Sequence, residues 1–225
     1  MNNRSPYVDA GHPSAGPGGR RPAAALEIRG RLLDAADALL RERQAEAITS
    51  RDIARAAGLS DGVLYNYFTD KSELLVTGLL RRLEDLLEKY VASLPVAGAG
   101  SAEDGVDDLV RRTHELQVAV LPMLANLVGD PPLLHRFMAE IHRPPLCGDM
   151  FTRPIADHLA AEQRLGRLGS FDPAAAADLL VGAVLMQGLI DVLGQRPEDD
   201  RVHHLDGIVR TLLSGIGPTA TRSVQ

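Results

Sequence analysis

Three of the eight aromatic residues in this chain, Tyr65, Tyr67 and Phe68, fall within four positions of one another and bracket Asn66. Two of them carry phenol hydroxyls that can donate to phosphate oxygens. Asn66 can read an adenine edge, and the methyl groups of Val63 can touch a thymine methyl. Upstream, Thr49 and Ser50 have hydroxyls suited to capping a helix N-terminus, where free amides and the helix dipole favour a phosphate. Arg51 follows them, and Lys71 can add a phosphate contact from the start of the next helix. Asp61 has two readings: it would repel phosphate yet accept from a cytosine amino group, or it is simply a negative charge suited to a helix N-terminus. Each residue alone is also explained by packing or solvation, the tyrosines between helices and Asn66 in water. The constellation as a whole points to contact with duplex DNA.

These side chains need a scaffold, and the flanking pattern supplies one. Leu26, Arg29, Leu32, Leu33, Ala36, Leu39 and Leu40 recur at spacings of three and four, which predicts a helix from Ala23 to about Arg43. A short helix over 50–57 follows, then Gly58 in the left-handed conformation, Leu59 plugging the interhelix core, and Ser60 capping a second short helix over 61–68. Leu64 and Phe68 are its expected inward anchors, leaving Asp61, Gly62, Val63, Tyr65, Asn66 and Tyr67 to face outward. Two short helices joined by a tight turn make a helix-turn-helix.

Over about residues 24–75 the chain resembles the TetR family of bacterial transcriptional regulators. The resemblance is carried by Leu33-Asp34-Ala35-Ala36 and Leu39-Leu40, then Thr49-Ser50-Arg51-Asp52-Ile53-Ala54, Gly58-Leu59-Ser60, Leu64-Tyr65-Asn66-Tyr67-Phe68 and Lys71-Ser72-Glu73-Leu74-Leu75. It implies an all-α protein with an N-terminal three-helix DNA-binding head and a C-terminal helical domain that dimerises and binds an effector. It also implies DNA contacts at Thr49, Ser50, Arg51, Ser60, Asp61, Gly62, Val63, Tyr65, Tyr67 and Lys71. One departure stands out: Gln44-Ala45 occupies the place where such proteins commonly end the first helix with glycine.

The expected domains are a disordered tail (1–22), the head (23–71), an effector-binding and dimerisation domain (72–217) and a flexible end (218–225). Arg20 and Arg21 in the first tail are either solvated charge or an arm that reaches a minor groove. A long helix from Ser72 to Leu94 carries the head. Beyond the Ala- and Gly-rich stretch 96–105, apolar periodicity predicts a helix kinked or ended by Pro122. A short helix starts at Pro131-Pro132, and a helix near 150–165 has Pro154 inside it. Asp172-Pro173 is a strong start signal for a helix to about Leu193, and a last helix runs from near Asp199 to Ile216. The 174–193 segment is apolar on nearly all sides, with small residues at Ala176, Ala177, Gly182 and Ala183, so it must be buried on more than one face. Asp178, Gln187 and Asp191 argue against a membrane span. The resemblance implies that this helix and the last one, with Leu205, Ile208, Val209, Leu212 and Leu213, form a homodimer seam over about 173–193 and 199–216. An effector pocket is expected among the middle helices, with His114, Gln117, Met123, Phe137, Met138, Phe151 and Met186 as candidate lining.

Composition limits the other classes. The 225 residues are 45% hydrophobic and 24% charged, enough for one good-sized core or two modest ones. A single cysteine, Cys147, excludes an internal disulfide, and the expected location is the cytoplasm, with no membrane partner. Net charge is −6, all of it in the C-terminal part, because residues 20–90 carry twelve basic and twelve acidic groups. No cofactor is expected. None of the seven histidines forms a chelating pair on one helical turn: His203 and His204 diverge, and His135 and His142 are about 10 Å apart along a helix. No Gly-rich phosphate loop or Gly-x-Ser-x-Gly elbow occurs. The reading is therefore a ligand-responsive repressor, not an enzyme, that binds a palindromic operator as a dimer and is released by an unidentified small-molecule effector. An activator or ligand-independent regulator of the same fold is the alternative, and a helical enzyme is the second class.

Overall fold

The computed structural model describes residues 20–143, 149–194 and 197–215. The expected tail up to Gly19, residues 144–148 with Cys147, and Ile216 with the expected flexible end lie outside the described residues. Helices α1 (Arg20–Glu42), α2 (Ser50–Ala56) and α3 (Lys71–Ser93) are followed by α4 (Ala102–Ala125), α5 (Pro131–Ile141), α6 (Arg153–Arg164), α7 (Pro173–Val192) and α8 (Glu198–Ser214). No strand occurs among the described residues.

Helix starts follow the chemistry of their first residues. Thr49, Asp70, Ser101, Asp130 and Asp172 each cap a helix by accepting from a backbone amide of its first turn. Proline in the first turn suits α5, α6 and α7, because its missing N–H has no intrahelical partner there. Several expectations are corrected. Helix α1 begins at Arg20, so part of the expected tail is helical, and Leu26 is 70% exposed and does not belong to the buried stripe. Residues 45–47, where no element was expected, form a 3-10 turn led by the buried Ala45. The second arm of the helix-turn-helix is a four-residue 3-10 turn, Val63–Asn66, instead of a helix over 61–68. Pro154 sits in the first turn of α6 and bends nothing, whereas Pro122 lies inside α4, which ends three residues later.

Two cores result, and α4 contributes to both. In the first, Leu32, Leu40, Ile53 and Leu64 of the head pack with Leu75, Leu79 and Leu83 of α3, continuing into Val120 of α4 and Phe137 of α5. Head and body therefore share one apolar interior, where burying each such side chain contributes about 1.5–3 kcal/mol. In the second, Val106 and Leu109 of α4 meet Ile155 of α6, Leu180 and Val184 of α7 and Val209 of α8. The close approach of α7 to α4 requires Gly188: a Cβ there would stand 3.2 Å from Gln117 Cβ and from Leu121 Cδ1.

Inside one chain only one stripe of α7 is covered, through Ala177, Leu180, Val184 and Gly188. Leu179, Leu185, Met186, Leu189 and Leu193 on its other side are exposed. By length and apolarity α7 would suffice to cross a membrane, although only 22% of that stretch is buried here. Next to it an open concavity of about 880 Å³ is lined by residues of α7 and α8, among them Leu179, Ala183, Ile208 and Leu212.

Candidate nucleic-acid interface and ligand cavity

Helix α2 opens with a reciprocal cap. Asp52 N donates to Thr49 Oγ1 at 3.1 Å, while Thr49 N and Oγ1 donate to Asp52 Oδ2 at 3.0 and 2.7 Å. Those bonds from Thr49 hold the Asp52 carboxyl below the ordinary carboxylate range. At the other end, Gly58 takes the left-handed conformation (φ 66°) that the tight turn demands. Arg31 of α1 fixes that turn by donating to the carbonyls of Ala57 at 2.5 Å and Gly58 at 3.3 Å.

The Val63–Asn66 turn hangs from two buried anchors, Leu64 and Phe68, as its pattern predicts. Arg29 lies over the Phe68 ring, 5.1 Å from its centre. Asp61, Gly62, Tyr65 and Asn66 are exposed, whereas Val63 and Tyr67 are half-buried, and Tyr67 packs against the head core. Ser60 is exposed just before this turn. Two contacts stitch the outer surface of the turn to α2: Ser50 Oγ lies 3.2 Å from Tyr65 Oη, and Arg51 Nε donates to Asp61 Oδ2 at 2.9 Å. The carboxylate of Asp61 is thus met by a cation of the same surface. Lys71 Nζ donates to the carbonyls of Ile48 at 2.8 Å and Ala45 at 3.4 Å, tying α3 to the loop before α2.

The head is also held from the body. Asp70 caps α3 through Glu73 N at 2.6 Å, and Arg136 Nη1 of α5 lies 3.0 and 3.1 Å from its two carboxylate oxygens. The Glu73 amide above all, then Arg136, keeps the Asp70 carboxyl below its usual range. Asn126 Nδ2, just past α4, donates to Leu40 O of α1 at 2.6 Å. Sixty-six residues separate Arg136 from Asp70, and no local sequence signal joins them.

A second feature lies behind the head. A partly open cavity of about 180 Å³ lies between α3, α4, α5 and the residues before α6, and the expected Met123, Phe137, Met138 and Phe151 all line it. Leu83 and His142 join them, neither of which was among the expected lining residues. The other three candidates are elsewhere. His114 Nε2 lies 2.8 Å from Asp191 Oδ2, which also meets Arg201 Nε at 3.1 Å, so His114 joins α4, α7 and α8 in a buried polar contact. Gln117 is buried against Gly188, and Met186 is 55% exposed on the outer side of α7.

Comparison with known proteins agrees with this architecture. Residues 32–77 match the sequence model of the bacterial regulatory proteins, tetR family. An uncharacterised HTH-type transcriptional regulator of Mycobacterium tuberculosis is 32% identical over 143 residues, 64% of each chain. The match thus spans less than two thirds of that relative's length. The HTH-type transcriptional repressor KstR2 of Rhodococcus jostii is 49% identical over 63 residues, 28% of this chain and 30% of its own. Among solved structures, a TetR-family transcriptional regulator of Mesorhizobium loti superposes with a TM-score of 0.70 at 20% identity, covering 84% of this chain and 96% of that one. A helix-turn-helix head on an all-helical body is the architecture that these matched proteins share. The head thus matches the tetR family of bacterial regulatory proteins over residues 32–77, and the helices behind it share the fold of TetR-family structures.

Proposed function

We propose that the protein is a homodimeric repressor that binds a palindromic operator and releases it when a small molecule occupies the body. The observation that carries this reading is the outer surface of the head, where Ser50 meets Tyr65 and Arg51 meets Asp61 while Leu64 and Phe68 are sealed inside. Phosphate contacts from the α2 N-terminus, Tyr65, Tyr67 and Lys71 position the head. Base contacts from Val63, Asn66 and Asp61 specify the sequence, with Ser60 and Gly62 at the close approach.

The exposed apolar side of α7 supports the dimer, since a second copy would cover Leu179, Leu185, Leu189 and the concavity beside α8. Two heads then meet successive major grooves about 34–36 Å apart. A ligand releases DNA only as far as it binds the non-DNA state more tightly. Such a regulator works where the DNA is, in the cytoplasm.

A mobility-shift assay on the DNA upstream of the protein's own gene tests this. Tyr67→Phe weakens binding to all sequences alike, whereas Asn66→Ala and Val63→Ala change sequence preference more than affinity. An unchanged binding profile for all three variants would discredit the assigned reading surface.

A further inference from the structure

We infer that the 180 Å³ cavity takes an uncharged, single-ring-sized apolar molecule with at most one hydrogen-bonding group; this deepens the effector reading above and rests on it. Size sets the first limit. Drug-sized ligands occupy clefts of about 300–1,000 Å³, whereas a dry apolar cavity of about 150 Å³ is sufficient for benzene. The space behind the head is close to the second figure, although it opens toward solvent at Met138, which is 40% exposed.

Lining chemistry sets the second limit. Leu83, Met123 and Phe137 are at most 2% exposed, and among the described residues no Lys, Arg, Asp or Glu lines the cavity. A charged guest would lose its hydration there without a partner. Among the described residues His142 is the one polar side chain of the lining; it is exposed, and its Nδ1 lies 2.7 Å from Met138 O. That carbonyl can only accept, so Nδ1 carries the proton, and the neutral ring keeps Nε2 as an acceptor. One hydroxyl on the guest therefore has a partner at His142. The thioethers of Met123 and Met138 are flexible and polarisable, and they adapt to a planar ring.

The test uses the full-length chain with toluene, p-cresol and benzoate, read by thermal unfolding and by calorimetric titration. Toluene and p-cresol are expected to raise the Tm by about 5–10 °C at a hundredfold excess over their Kd. Benzoate, of the same size but charged, is expected to leave it unchanged. Leu124→Phe, which fills the cavity from α4, abolishes the shift while keeping its ligand-free transition, and His142→Ala weakens p-cresol but not toluene. Binding of benzoate as tight as that of toluene, no binding of either neutral ring, or an unchanged response in a folded Leu124→Phe overturns the inference. These readouts need no DNA, so failure here leaves the operator assay standing, and failure of operator binding leaves the cavity result intact.

Discussion

A single nitrogen of Arg136 on α5 reaches both carboxylate oxygens of Asp70, at 3.0 and 3.1 Å, and Asp70 is the residue on which α3 begins. The body thereby grips the first turn of the helix that carries the head. Because Phe137, the next residue along α5, lines the cavity, the grip and the cavity share one turn of helix.

Loss of the cap at Asp70 has a defined pH dependence. Its carboxyl is depressed in the folded protein, so its contribution is complete above the unfolded value near 4 and disappears as pH falls through the folded value. Asp70→Ala is expected to cost about 1 kcal/mol at neutral pH, with the difference from wild type shrinking below about pH 4. Urea denaturation across that range measures it. Arg136→Ala removes only a half-exposed ion pair, worth under about 1 kcal/mol. Its expected signature is instead a weaker effect of cavity ligands on operator affinity.

Asp61→Asn tests the pair with Arg51. Both side chains are mostly exposed, so stability is expected to change by less than about 1 kcal/mol. The freed guanidinium gains a phosphate contact, which tightens binding to non-cognate DNA and steepens the dependence of log K on log salt by about 0.9. Titrations at several salt concentrations measure that slope.

Leu189→Glu places a charge in the middle of the exposed apolar side of α7 and leaves the stripe facing α4 untouched. Sedimentation is expected to show a monomer with unchanged helix content and far weaker operator binding. A dimer that persists would move the seam elsewhere.

Gly188→Leu acts on the opposite side of the same helix. Gln117 Cβ and Leu121 Cδ1 leave no room for a side chain, so α4 and α7 must separate. The expected cost is about 1–3 kcal/mol in chemical denaturation, with operator specificity unaffected.

Most of the head was legible in the sequence because its signals are local. Leu64 and Phe68 were recognisable as anchors from their spacing, Gly58 from its place in the turn, and Asp172 from the proline that follows it. The 3-10 form of 63–66 was not, since a four-residue turn lacks the length over which periodicity distinguishes the two helix types. The cavity was half legible. Met123 and Phe137 face it, but His114 was drawn to Asp191, 77 residues away, by a polar contact that no window of sequence contains. Met186 was misread because an all-round apolar helix gives no phase from which to tell its inner from its outer side.

Helix α4 adds its own constraint by belonging to both interiors. At about 1.5 Å per residue, its 24 residues form a rod roughly 36 Å long. Pivoting it by about five degrees around its midpoint swings each end by roughly 1–2 Å, the scale of helix shift on which many molecular switches run. Any such movement of α4 would shift its packing in both interiors at once, because its residues belong to each.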